Sequence, residues 1–146
     1  MKVEIKIDSA AVEPKVLIIT DRMTDEINEI VRKISETEPQ MIAGVVDDRV
    51  TLLEQDEILR VYAANGKIFA VTAEGEFPLR MRLYQLEERL RQDSFVRISN
   101  SEIINLKKAR HFDLSFTGTI CVSLSDGSVS YVSRRYVSKI KQILGL

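Results

Sequence analysis

The sequence predicts a mainly β protein with short helices, preceded by a small α+β N-terminal region. Three observations carry this prediction. Short runs of alternating or continuous apolar residues recur along the chain, each of a length that suits a strand. Turn dipeptides punctuate them, above all Asn65-Gly66, with Glu74-Gly75 and Asp126-Gly127. Helical spacing is confined to three brief stretches.

Taken in order, Val3, Ile5 and Ile7 alternate with Lys2, Glu4, Lys6 and Asp8, the pattern of a half-buried strand. Residues 15–20 form an apolar run between Pro14 and Asp21, a more buried strand. Ile27, Ile30, Val31 and Ile34 make the stripe of an amphipathic helix. Thr24 is its N-cap, Asp25 and Glu26 suit its dipole, and Pro39 follows its end. Asp21 reads as a turn residue leading to that cap. Residues 41–46 and 49–54 are strands joined at Asp47-Asp48.

Strands over 58–63 and 67–72 flank Asn65-Gly66, whose residue types tolerate the positive φ of a type I′ hairpin. Leu83, Leu86 and Leu90 mark a short helix with Glu87 and Glu88 on its solvated side. Further strands are expected over 95–99, 109–116, 119–124 and 128–132, with a short turn over 101–106. Val137, Ile140, Ile143 and Leu144 give the stripe of a C-terminal helix.

Composition narrows the function. The chain has 146 residues, 45% hydrophobic and 29% charged, which excludes disorder and a disulfide scaffold. No apolar stretch approaches the roughly 18–20 residues that cross a bilayer, so no membrane insertion is expected. The N-terminus lacks the pattern of a signal peptide, and the single Cys121 suits a reducing compartment. A cytoplasmic location is therefore expected. Charge is divided: residues 1–57 hold seven Lys/Arg against fourteen Asp/Glu, and residues 58–146 hold fourteen against eight. A basic C-terminal part suits a polyanion.

Catalytic and metal chemistry are not foreseen. His111 and Cys121 are the sole His and Cys, too few for a zinc site, and His111 reads as a strand surface residue. No nucleotide-binding glycine loop occurs. The expected protein is not an enzyme and carries no metal or cofactor.

One set of blocks remains. A leucine-spaced helix, Leu83, Leu86 and Leu90, precedes Phe95-Val96-Arg97-Ile98-Ser99-Asn100-Ser101-Glu102-Ile103-Ile104-Asn105. Ser133-Arg134-Arg135-Tyr136 then opens the last helix. Their order and spacing resemble the LytTR-type DNA-binding domain of bacterial transcription regulators, with its F-x-R-x-H/S-x-S-x-x-V-N segment and S-R-R-Y-like close. The resemblance covers about residues 50–146; the whole chain resembles a short subclass with a small acidic piece in place of a receiver domain. It implies a row of three small antiparallel sheets, with loops and helix ends entering successive grooves of double-stranded DNA. A helix-turn-helix is not expected.

By position, the resemblance implies that Arg135 reads a base, Asn100 contacts DNA, and Ser101 and Ser133 meet the backbone. Lys67 falls where the family presents a basic hairpin residue; a base-reading histidine of some members is replaced by Gly66. Arg97, Lys107 and Arg134 complete the candidate set as cations that could meet phosphate. Each has a plainer reading. Arg134 and Arg135 could be a solvated helix start, Asn100 a cap, Arg97 a structural strand residue, and Lys107 ordinary surface. Two cations at a helix N-terminus oppose its dipole, which favours a phosphate-facing task.

The expectation is a sequence-specific, DNA-binding transcriptional regulator with residues 50–146 as its DNA-binding domain. It would act as a homodimer or as two copies on repeated sites, with the acidic residues 1–49 dimerising or sensing a partner. The competing expectation is a protein-interaction module whose acidic N-terminal region acts on a regulator or membrane partner. RNA binding is disfavoured because few aromatic residues are available for base stacking.

Overall fold

The Asn65-Gly66 turn organises the largest sheet of the computed structural model, which describes residues 1–35, 41–114 and 118–146. Asn65 and Gly66 adopt φ of 52° and 75°, as a type I′ turn requires. They join β3 (Ile58–Ala64) to β4 (Lys67–Thr72), with Ala64 opposite Lys67. β5 (Gly75–Leu79) adds to β4. It contains Pro78, a residue confined to sheet edges because it lacks a ladder donor, and β5 is indeed an edge. On the other side of β3 lie β7 (Glu102–Asn105) and then β6 (Phe95–Ser99), giving the order β5-β4-β3-β7-β6.

Two smaller antiparallel sheets complete the row: β1 (Ile42–Val46) with β2 (Arg49–Leu53), and β8 (Ala109–Leu114), β9 (Ile120–Leu124) and β10 (Val129–Val132). This is the row of small sheets that the resemblance implied. The part of the expected strand 109–116 beyond Leu114 extends outside the described residues, as does Pro39.

The five-stranded sheet separates two cores. Val61 and Ile103 join Ile42, Leu53, Leu83, Leu86 and Leu90 on one side. Leu59 and Ile104 join Val96, Ile98, Ile120, Val122, Leu124, Val132 and Ile140 on the other. Neighbours in a strand point to opposite faces, so Ile103 and Ile104 are both buried only because both faces are covered. That is why residues 101–106, without alternation, form a central strand and a single 3-10 turn (Leu106–Lys108) rather than the expected turn. α2 (Leu83–Arg89) supplies its leucines to the first core, and α3 (Arg134–Leu144) supplies Ile140 to the second. α3 ends at Gly145 in the left-handed conformation, φ 75°.

The chain divides into two compact units, Met1–Thr37 and Glu38–Leu146. The β1–β2 hairpin belongs to the second, because Ile42 and Leu53 lie in its core and Gly44 approaches Phe77 too closely for any side chain. The division therefore falls ahead of the expected 49/50 boundary, which would pass through β2, and ahead of the charge division at 57/58. In the first unit, α1 (Asp25–Ser35) forms as expected, and Thr24 Oγ1 accepts the Ile27 N–H at 3.3 Å. The two strands expected before it do not form. A strand needs an edge to pair with, and neither residues 3–7 nor 15–20 have one within the described chain.

Candidate nucleic-acid interface

Most of the predicted contact residues meet at one end of the five-stranded sheet, through backbone geometry that begins with a bulge. The β6–β7 register slips between Arg97 and Ser99, so Ile98 lacks a ladder partner. Its carbonyl instead accepts the Ser133 N–H at 2.9 Å. This bond ties the N-cap of α3 to the turn at residues 99–101. The Ser101 carbonyl in turn accepts the Ala63 N–H at 2.8 Å, which brings the β3–β4 hairpin tip alongside. Lys67, Asn100, Ser101, Ser133, Arg134 and Arg135 thus share one edge, and all are exposed.

The start of α3 suits an anion. Ser133 is its N-cap, but its hydroxyl caps no helix N–H, and the first turn holds no acid. Arg134 and Arg135 have no ion pair among the described residues. The Arg135 guanidinium lies 5.8 Å from the centre of the Tyr136 ring, and the Tyr136 hydroxyl reaches Asn100 Oδ1 at 3.5 Å.

Arg97 sits differently. Its Nη1 donates to Glu87 Oε2 at 2.8 Å, its Nε to the Ser99 carbonyl at 2.8 Å, and its Nη2 to the Asn100 carbonyl at 2.7 Å. With 14% of its side chain exposed, it braces the turn against α2 rather than reaching outward. Glu87, expected on a solvated face, is the carboxylate that holds it. Lys107 stands apart, beyond the far end of β7, where its Nζ lies 3.9 Å from Asp56. Ser101 is roughly 13 Å from that end at about 3.3 Å per residue.

Asn105, which closes the Phe95–Asn105 motif segment but was given no role from it, is buried completely. Its Nδ2 donates to the Ile58 carbonyl at 2.9 Å and its Oδ1 accepts the Lys107 N–H at 3.0 Å, so it joins β3 to the turn that presents Lys107. Also unforeseen was a row across the sheet. Arg60 pairs with Glu102 at 3.2 Å and stacks over Tyr62, whose hydroxyl donates to Glu76 at 2.7 Å. That bond, aided by burial, raises the Tyr62 pKa. Asp126, in the turn before β10, has its pKa lowered, chiefly by the Ser128 hydroxyl at 2.6 Å. His111 is an exposed strand residue. Among the described residues no cluster of His, Cys, Asp or Glu could hold a metal ion, and no helix is long and apolar enough to cross a membrane.

Comparison with known proteins adds three findings. The LytTr DNA-binding domain family matches residues 48–145. Uncharacterized HTH-type transcriptional regulators of Staphylococcus aureus strains MSSA476 and NCTC 8325 are each 29% identical over 147 residues, covering 100% of this chain and 99% of theirs. A solved LytTr DNA-binding domain from Bacillus cereus superposes with a TM-score of 0.70 at 21% identity, covering 75% of this chain and 100% of that one. Despite the name of the relatives, no helix-turn-helix pair occurs among the described residues of the second unit, where five strands separate α2 from α3.

Proposed function

The chain belongs to the LytTr DNA-binding domain family, and from that premise we propose that it is a cytoplasmic, sequence-specific transcriptional regulator that reads double-stranded DNA through the shared edge. The observation that carries this reading is the Ser133–Ile98 bond, which holds the arginine-bearing start of α3 beside the turn at residues 99–101. Arg135 is the base reader, since a guanidinium fork matches the major-groove edge of guanine. Arg134 and Lys67 meet phosphates. Asn100, Ser101 and Ser133 contribute hydrogen bonds to the backbone or to base edges. Lys107 takes a flanking phosphate, and Arg97 acts by positioning. The protein works as a homodimer or as two copies on repeated sites.

Selection of bound sequences from random duplex DNA with the full chain tests the reading. One sequence should be enriched, and its affinity should fall with salt at a log–log slope of roughly −0.9 per phosphate neutralised. A pool without enrichment, or isotherms indifferent to salt, would overturn it.

A further inference from the structure

We propose that residues 2–8 form a homodimerisation strand, pairing antiparallel with the same segment of a second copy about a two-fold axis at Ile5. The segment has the pattern of a strand but no strand partner among the described residues of its own chain. Val3, Ile5 and Ile7 are 82%, 89% and 93% exposed, an apolar row in water. The backbone turns immediately afterwards: the Asp8 carbonyl accepts the Ala11 N–H at 3.1 Å, and its carboxylate accepts the Ala10 N–H at 3.0 Å. The segment therefore has a defined end.

Its charges select the occupant. Antiparallel pairing centred on Ile5 sets Lys2 opposite Asp8 of the second copy and Glu4 opposite Lys6, each twice by symmetry. Val3 then faces Ile7, and Ile5 faces itself, so all apolar side chains fall on one face. Opposite charges directly across an antiparallel pair stabilise it, and like charges oppose it. A two-residue shift one way sets Glu4 against Glu4 and Lys2 against Lys6. The same shift the other way sets Lys6 against Lys6 and Glu4 against Asp8. Parallel pairing in register sets every charge against itself. A one-residue shift turns the apolar row to the wrong face. Thus, of the registers that pair five or more of these residues, one sets unlike charges together on one face and apolar side chains together on the other, with the two-fold symmetry of an isologous dimer. Among the described residues of the single chain, Lys2 pairs with Glu4, two positions on, at 3.0 Å, both side chains largely in solvent.

The inference deepens the two-copy part of the proposed function. Association is measured without DNA, so its failure leaves the DNA-binding reading standing. Analytical ultracentrifugation of the full chain at low salt should show a concentration-dependent dimer. Glu4→Lys creates two like-charge oppositions and should raise the dimer dissociation constant about tenfold or more. The exchange Glu4→Lys/Lys6→Glu restores the opposition of signs and should return the constant to within about threefold of the parent. Ile5→Asp should abolish the dimer, and Val12→Asp, outside the segment, should leave it unchanged. A parent chain that stays monomeric, a dimer indifferent to Glu4→Lys, a charge exchange that fails to rescue, or equal sensitivity to Val12→Asp would each overturn the proposal.

Discussion

At the first turn of α3, Arg134 and Arg135 carry the same charge on different settings. The Arg135 guanidinium lies 5.8 Å from the centre of the Tyr136 ring, whose hydroxyl is 3.5 Å from Asn100 Oδ1. Arg135→Ala should lose roughly 1–3 kcal/mol on the preferred site and relax preference at one base pair. Arg135→Lys should restore charge but little discrimination, because the planar fork is gone. Arg134→Ala should weaken all sites equally. Competition binding across single-base operator variants checks this: if Arg135→Ala leaves every base preference intact, Arg135 is a phosphate contact. Arg97 calls for a different outcome. Its three bonds are spent inside the protein, so Arg97→Ala should lower stability by about 1–3 kcal/mol. It should weaken DNA binding while leaving the salt slope unchanged, whereas loss of a phosphate contact would make that slope shallower by about one. Denaturant melts and salt titrations of the same variant separate the two roles.

At the scale of elements, the β1–β2 hairpin shows where the DNA-binding unit begins. Ile42 is 2% exposed and Leu53 is 3% exposed, both in the core that also holds Leu86 and Leu90. A chain cut at 49/50 loses β1 and opens that core. It should be less stable than one cut at 37/38 by at least about 2–5 kcal/mol, the loss typical of one large buried side chain. Urea melts of the two truncations give the comparison; equal midpoints would show that the hairpin is dispensable. The same hairpin was legible in the sequence as two strands about Asp47-Asp48, yet its allegiance was not. Periodicity reports local structure, whereas Ile42 and Leu53 reveal their partners only in three dimensions. β3, β4 and β6 were legible because turn residues or alternation marked them. β7 was hidden by burial on both faces, and β5 by Pro78. At the candidate site, the α3 arginines and the Asn100 turn could be placed from their motif. The bulge at Ile98 that joins them could not, since a carbonyl's partner leaves no mark on residue type. Glu87 read as a solvated carboxylate for a related reason, because Arg97 reaches it across ten positions from another element.

The whole molecule couples a small N-terminal unit to a larger unit bearing the candidate site, and the two parts make opposite demands on an experiment. If residues 38–146 contain the complete reading edge, they should bind a single half-site as tightly as the full chain does. If the first unit holds two copies together, the full chain should bind a site of two correctly spaced repeats far more tightly than the truncated one. The second contact is then intramolecular, and effective concentration can multiply avidity by about 10² or more without any new contact to DNA. The gain should vanish when the repeats are moved by half a helical turn, because the second unit then faces the wrong side of the duplex. It should also vanish in full-length Glu4→Lys, whose half-site affinity should stay unchanged. Binding of full and truncated chains to one-repeat, two-repeat and displaced-repeat duplexes measures all of these. Equal affinity of both chains for the two-repeat site would remove the N-terminal unit from DNA recognition and leave residues 38–146 to act alone.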